Sequence, residues 1–377
     1  MEIKKNFKLD VKPSLLGFGC MRFPTIKDED GNSKIDYKLT EEMIDYAIKS
    51  GVNYIDTAYP YHNGESEVVV GKIMKNYPRD SFYLATKLPM WKVESKEQVR
   101  EIFEEQLQKL QMDYVDFYLL HALNANSYKK VLDFDVLNEC LKLKAEGKIK
   151  YLGFSFHDDY KVFEEIINYY DWDFCQIQLN YMDTDTQAGL KGLRLAGEKN
   201  IPVVIMEPVK GGSLANVSED VKDVFEEFDN SLSVASWALR YVASFDEVMT
   251  VLSGMSNFEQ VKDNIKTFTD FKALNEEELS IVQKAKDLII SKTKSACTGC
   301  RYCMPCPKGV NIPLAFRTWN SWSMYNKNPW TVSQYKNNIR EEGSPLNCID
   351  CGKCENLCPQ KISIREDLKK VAKDFEL

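Results

Sequence analysis

From about Leu15 to Ser256 the chain alternates between short runs of β-branched and aromatic residues and longer stretches with a helical hydrophobic period. The short runs are LLGFGCMRF, VNYIDTAY, SFYLATKLP, VDFYLLHAL, KYLGFSFH, FCQIQLNY, PVVIMEP and VMTVLSGMS. Between them the periodicity predicts helices at roughly 39–50, 66–76, 95–110, 134–146, 160–169, 187–199 and 233–243, with another from about 258. Near-continuous apolar strands alternating with helices indicate a parallel sheet covered by helices. Eight such units in about 270 residues fit an α/β fold of the closed (β/α)8 TIM-barrel kind. An open doubly wound sheet would carry a Gly-rich turn after its first strand. LGFGCMRFP holds only Gly17 and Gly19, so the G-x-G-x-x-G pattern is absent.

Punctuation along the chain agrees with this register. Thr40 or the residue before it can cap the first helix, and Gly51, Gly147 and Gly197 stand at the ends of the first, fourth and sixth. The polar segment DEDGNSK at 28–34 has the look of a calcium loop, but the twelfth position from Asp28 is Leu39 rather than a bidentate Glu. It is expected to be an exposed hairpin or loop. The segment 275–294 reads as a charged amphipathic helix leading away from the barrel. A domain boundary is expected near Lys292, with a barrel over 1–291 and a small, mainly helical module over 292–377.

Composition narrows the function classes. The 377 residues are 44% apolar and 28% charged, ordinary for a globular chain with one large and one small domain. With 49 Lys and Arg against 57 Asp and Glu the net charge is −8, which argues against nucleic acid as a partner. MEIKKNFKLD offers no apolar signal core, and no run approaches the roughly 18 apolar residues of a membrane span. The expectation is a cytoplasmic protein with no membrane partner.

The eleven cysteines change the picture most. Cys20, Cys140 and Cys175 are scattered and expected to be small buried residues, although Cys20, near the end of the first strand, could line the pocket. The other eight form two runs, Cys297-x2-Cys300-x2-Cys303-x2-Cys306-Pro307 and Cys348-x2-Cys351-x2-Cys354-x3-Cys358-Pro359. Without an export signal, such clustering reads as metal ligation rather than disulfides. Two zinc sites would use similar pairs, whereas triplets closed by Cys-Pro favour iron–sulfur clusters. The runs resemble those of two-cluster bacterial ferredoxins, in which the fourth cysteine of each run serves the other cluster. That resemblance implies two [4Fe–4S] clusters, one on Cys297, Cys300, Cys303 and Cys358, the other on Cys348, Cys351, Cys354 and Cys306. The first run departs from it by placing two residues, not three, before Cys306. The 41 residues between the runs hold the aromatic-rich AFRTWNSWSMYNKNPW, expected to form helices around the clusters. Exposed clusters would make the protein oxygen-sensitive.

In a parallel barrel the chemistry sits where the carboxyl ends of the strands meet. Asp56 and Tyr61 follow the second strand, Lys87 ends the third and His121 ends the fourth. Taken singly, each has an ordinary reading: a cap, a packing ring, a solvated charge, a core imidazole. Together, with NYIDTAYPYHNGESEVVVGKIM around the first two, they resemble the catalytic tetrad of the aldo/keto reductase family, and the resemblance runs over residues 12–270. It implies reduction of a small carbonyl substrate by NADPH or NADH. Tyr61 would be the general acid, Lys87 the cation that lowers its pKa, Asp56 the counter-ion of Lys87, and His121 the donor that orients the carbonyl.

The same resemblance assigns Ser155 and Gln178 to the nicotinamide amide, although Phe156 stands where the family has Asn. Gly212 is assigned to the pyrophosphate through backbone N–H groups, and Gly254, Ser256, Gln260 and Asn264 to the adenosine. No Arg or Lys occupies the position where many members grip a 2′-phosphate; Lys210 and Lys262 are the substitutes at hand. A hydride carries two electrons and a cubane cluster one, so coupling within the chain would need a converter; the barrel mouth could hold FMN. Otherwise the clusters serve a redox partner protein or are structural. The alternative reading is an electron-transfer or docking protein with a catalytically silent barrel.

Overall fold

The computed structural model describes residues 1–2, 8–269, 271–339 and 343–377. The chain divides into two compact units, Met1–Gly211 with Ala235–Glu276, and Gly212–Val234 with Glu277–Leu377.

The first unit contains β1 (Leu16–Gly19), β2 (Thr25–Lys27), β3 (Ser33–Ile35), α1 (Tyr37–Lys49), β4 (Tyr54–Asp56), α2 (Glu65–Met74), β5 (Tyr83–Leu88), α3 (Lys96–Leu110) and β6 (Val115–Leu123). It continues through α4 (Ala125–Asp133), α5 (Val136–Ala145), β7 (Ile149–Phe156), α6 (Tyr160–Tyr169), β8 (Phe174–Gln178), α7 (Gly189–Glu198) and β9 (Val203–Met206). After α8 (Glu219–Glu226), which belongs to the second unit, come α9 (Val234–Ala243), β10 (Val248–Gly254) and α10 (Phe258–Thr269). Eight strands close a parallel barrel in the order β1-β10-β9-β8-β7-β6-β5-β4. Each of the eight expected strands is present. A cluster built from strand residues, including Tyr54, Ala85, Phe117, Phe174 and Met249, packs separately from the larger strand–helix core. Phe117 is its centre, with ring centroids 5.0 Å from Phe174 and 5.1 Å from Tyr54.

Segment 28–34 forms the turn, at 28–32, and the start of the second strand of an antiparallel hairpin between β2 and β3, closed by Asp28, whose carboxylate accepts from the N–H of Asp30 and of Asn32. Two expectations about helix ends need correction. The first helix is capped by Asp36, which accepts from the Leu39 N–H, while Thr40 is buried one turn inside. Gly197 lies within α7; the left-handed residue after that helix is Asn200, at φ 55°. Gly51 and Gly147 do take up positive φ just beyond their helices. Two helices escaped the periodicity. Helix α4 is cut from α5 by Asp135 at φ 52°, and α8 has only eight residues in an acidic stretch. Gly71 allows α2 to lie against the end of α3: a Cβ there would stand 2.4 Å from the Leu110 carbonyl oxygen and 2.7 Å from that of Lys109.

The second unit adds α11 (Glu276–Ser291), α12 (Ile312–Met324), α13 (Pro329–Asn338), α14 (Lys353–Leu357) and α15 (Ile364–Asp374). Its core is Ile312, Phe316, Trp319, Tyr335, Leu368 and Phe375 with their neighbours. Of the aromatics between the two cysteine runs, Phe316, Trp319, Trp322 and Tyr335 are therefore packing residues, while Trp330 is exposed. Trp319 donates its indole N–H to Asp374 at 2.7 Å, and the rings of Trp322 and Tyr335 both meet Phe375.

Substituting Gly71→Ala forces a methyl into backbone oxygens that cannot yield. A destabilisation of about 1–3 kcal/mol is expected, read as a lowered thermal midpoint by circular dichroism; an unchanged midpoint would show that α2 can slide freely on α3.

Candidate active site and cluster cradles

Strand β4 ends at Asp56, and Lys87 is the penultimate residue of β5. Parallel pairing of these neighbours brings the two side chains together at the carboxyl end of the barrel. Lys87 is fully buried. Its Nζ lies 2.8 Å from Asp56 Oδ1, from Asp56 Oδ2 and from the Thr57 carbonyl. Burial works against the ammonium, but the Asp56 carboxylate and the Tyr61 phenol outweigh it, and the Lys87 pKa is raised. Burial also pushes Asp56 up, with Lys87 pulling it back. Those two directions disagree about where the proton sits. Three acceptors at equal distance match the three N–H donors of an ammonium, so the charged pair is the state the geometry selects.

Tyr61 opens a 3-10 turn in which His62, Asn63 and Gly64 all have positive φ, at 50°, 54° and 91°. Lys87 Nζ stands 5.2 Å from the centroid of the Tyr61 ring. Burial raises the phenol pKa, and Lys87 only partly offsets it. The expected lowering by Lys87 is thus present but is not the net result, because the same closed site that holds the cation also removes water. Tyr61 is a protonated donor at neutral pH, and its hydroxyl stands within reach of the Lys87 ammonium.

His121 meets Tyr61 edge-on, with ring centroids 6.3 Å apart. Burial, then the charge of Lys87, then His157 push its pKa down to about 3. The imidazole is neutral, and its Nδ1 is buried without a partner. The four residues of the expected tetrad therefore come together around one point. Cys20 is fully buried next to them rather than lining the mouth; burial first, then Asp56, holds its thiol protonated.

Residues that the sequence reading missed support this centre. Trp91, half exposed in the loop after β5, places its ring 5.2 Å from that of His121. Its position just past a barrel strand was the available signal. Behind Lys87, Gln106 donates to the Lys87 carbonyl at 3.0 Å and to Glu67 at 2.7 Å, Thr86 donates to Glu67, and Tyr118 donates to Gln106. These links cross between α2, α3, β5 and β6, which no local pattern reveals.

The expected nucleotide residues are more engaged with the protein. Ser155 Oγ accepts from the N–H of Ala122, a residue at φ 53°, and so supports the end of β6 beside His121. The Gln178 amide donates to Asp183 and accepts from Gln187. Asp183 also takes the ammonium of Lys210. Phe156 is core. Asn264 is buried on Ser253 Oγ at 2.9 Å, Ser256 N–H is held by Gln260 at 2.7 Å, and Lys262 lies over the Phe258 ring. Gly254 ends β10. Gly212, at φ 98°, belongs to the second unit, whereas the other six lie in the first.

In the second unit the eight clustered cysteines line two concavities. One is bounded by Cys297, Cys300, Cys303 and Cys358. The other is bounded by Cys306, Cys348, Cys351 and Cys354, with Cys303 at its edge. Among the described residues no three His, Cys, Asp or Glu side chains converge closely enough for a single metal ion. Four thiols arrayed around a cavity suit a multi-iron cluster, and Cys306 lines the second concavity despite the shortened spacing.

A closed (β/α)8 barrel with a buried Lys–Asp pair, a tyrosine and a neutral histidine at its carboxyl mouth defines the class of an oxidoreductase barrel. The model of the Aldo/keto reductase family matches residues 15–287, and that of the 4Fe-4S dicluster domain matches 296–362. The chain belongs to the aldo/keto reductase family and carries a C-terminal 4Fe–4S dicluster domain. It is 29% identical over 316 residues to the uncharacterized oxidoreductase YqkF of Bacillus subtilis, covering 75% of this chain and 96% of that one. It is 26% identical over 279 residues to the NADH-specific methylglyoxal reductase of Escherichia coli, covering 62% and 84%. Its fold matches an aldo-keto reductase from Klebsiella pneumoniae solved in complex with NADPH, with a TM-score of 0.62 at 22% identity, covering 75% and 95%. NADH and NADPH are the cofactors named among these three; a flavin is not. Among the described residues no helix is long and apolar enough to cross a membrane.

The depressed pKa gives a test by proton NMR. Of the three imidazoles, that of His121 is expected not to titrate between pH 5 and 8. Its contribution to stability is present above the ordinary value near 6.5 and is lost as pH falls towards about 3, because the unfolded chain takes up the proton first. Titration of the His121 imidazole near 6.5 would contradict the burial argument.

Proposed function

We propose that the barrel reduces a small carbonyl compound with a nicotinamide cofactor, Tyr61 acting as general acid. The observation that carries this reading is the Lys87–Asp56 pair buried beside a protonated tyrosine hydroxyl that lies within reach of the Lys87 ammonium. The cofactor, when bound, supplies a hydride. Reduction of C=O to an alcohol then needs one proton, and the Tyr61 O–H delivers it to the carbonyl oxygen. The Lys87 ammonium, held by Asp56, stabilises the phenolate left behind. His121, neutral, donates an N–H to the same oxygen and fixes its direction. Trp91 forms a wall of the substrate space.

The dicluster domain holds two [4Fe–4S] clusters in this reading, one on Cys297, Cys300, Cys303 and Cys358, the other on Cys306, Cys348, Cys351 and Cys354. Each exchanges one electron at a time with a redox partner protein, separately from the two-electron hydride step. The boundary between the domains falls near Lys292. Cysteines clustered for metal ligation rather than disulfides support a reducing, cytoplasmic compartment.

Tyr61→Phe is expected to lower kcat by about a hundredfold or more, with dinucleotide binding and iron content unchanged. Full activity in that variant would sink the general-acid assignment, and no reduction by the unaltered protein across a broad aldehyde and ketone panel would favour a silent barrel. Crossed ligation has its own test. In a background where Cys297, Cys300 and Cys303 are serine, about four irons per chain should remain. Adding Cys358→Ser should then change nothing, whereas adding Cys306→Ser should remove them; the reverse pattern would mean that each run ligates its own cluster.

A further inference from the structure

The sequence places no cation where a dinucleotide's phosphates would be gripped after the last barrel strand, and the two candidate substitutes, Lys210 and Lys262, are occupied. Lys210 is paired with Asp183, and Lys262 lies 4.8 Å from the Phe258 ring centroid. The fold supplies another cation from the opposite end of the barrel unit's sequence. Strand β1 pairs directly with β10, bringing Gly19 opposite Gly254. The 3-10 turn Cys20–Arg22 that follows β1 therefore lies over the end of β10.

Arg22 is seated there by two contacts. Its carbonyl accepts the Ser256 hydroxyl at 3.0 Å. Its aliphatic stem lies flat on Gly254, where a Cβ would come within 3.2 Å of Arg22 Cβ and Cγ and 3.3 Å of Cδ. The stem leads the guanidinium to Gly211, whose position for a Cβ, at φ 63°, is 3.4 Å from Arg22 Nη2. Arg22 is exposed and makes no ion pair or side-chain hydrogen bond among the described residues. An arginine held at its stem and left free at its fork, between a glycine turn and a strand end, is prepared for an anion with several oxygens.

We propose that Arg22 is the phosphate anchor of the nucleotide site, and that Gly254 and Ser256 act by seating it. The inference rests on the nicotinamide reading above and names the residue that determines how tightly the cofactor's phosphates are held. The ligand chemistry is a phosphate ester or diphosphate of a nicotinamide dinucleotide. Both the diphosphate, common to NADH and NADPH, and the 2′-phosphate, present only in NADPH, have that chemistry.

The test is anaerobic isothermal titration calorimetry of the full chain, clusters loaded, with NADH and with NADPH. Arg22→Ala is expected to weaken binding about tenfold or more, and the gap to the unaltered protein should narrow in high salt. Arg22→Lys should recover part of the loss, since it keeps the charge but not the fork. Gly254→Ala, which displaces the stem without removing the charge, should fall between the two, a result that a contact made by Gly254 alone would not predict together with the loss in Arg22→Ala. Equal losses for both nucleotides place the guanidinium on the diphosphate; a loss confined to NADPH places it on the 2′-phosphate. Unchanged affinity for both in Arg22→Ala, while the unaltered protein binds, overturns the role of Arg22 and leaves the reductase reading intact. If the unaltered protein binds neither nucleotide, the nicotinamide reading falls and this role with it.

Discussion

Lys87 and Asp56 are withdrawn from water together, and neither could be buried alone. Removing one partner of such a pair typically costs about 3–5 kcal/mol, because the other charge is left without solvent or counter-ion. The barrel meets that constraint by ending β4 and β5 side by side and by adding the Thr57 carbonyl as the third acceptor. The same burial governs the other two residues at the mouth. It keeps Tyr61 protonated and His121 neutral, since a phenolate and an imidazolium would both have to be formed without water.

The supporting network behind the pair serves rigidity. Gln106 ties the Lys87 carbonyl to Glu67, and Glu67 is itself a buried carboxyl whose pKa burial raises. These bonds fix the end of β5 from the helical side. The left-handed residues 62–64 fix the tyrosine from the loop side, at a conformational cost for His62 and Asn63 that the surrounding packing has to cover. A site of this kind holds its groups near the geometry a carbonyl would need before any ligand arrives.

The dicluster domain solves a different problem. Its small core, built on Phe316, Trp319 and Phe375, leaves two concavities ringed by thiols. Each ring mixes cysteines of the two runs. Under the proposed ligation the clusters therefore cross-link two chain segments, adding covalent ties where apolar burial alone is modest.

Much of this was legible in the sequence because it is local. Strand runs, helix periods and C-x2-C spacing are written in neighbouring residues, and all eight barrel strands and both cysteine runs could be placed from them. The expected tetrad could be placed because each member stands at the end of a strand or in the turn that follows one, and the barrel's topology brings strand ends together. The tertiary structure decided what depends on long-range proximity: that Asp36 rather than Thr40 caps the first helix, that burial outweighs Lys87 at Tyr61, that Gln178 and Lys210 are committed to Asp183, and that Arg22 lies beside Gly254 although 232 positions separate them in sequence. Desolvation and close approach are properties of the folded neighbourhood, and a linear pattern of residue types does not carry them.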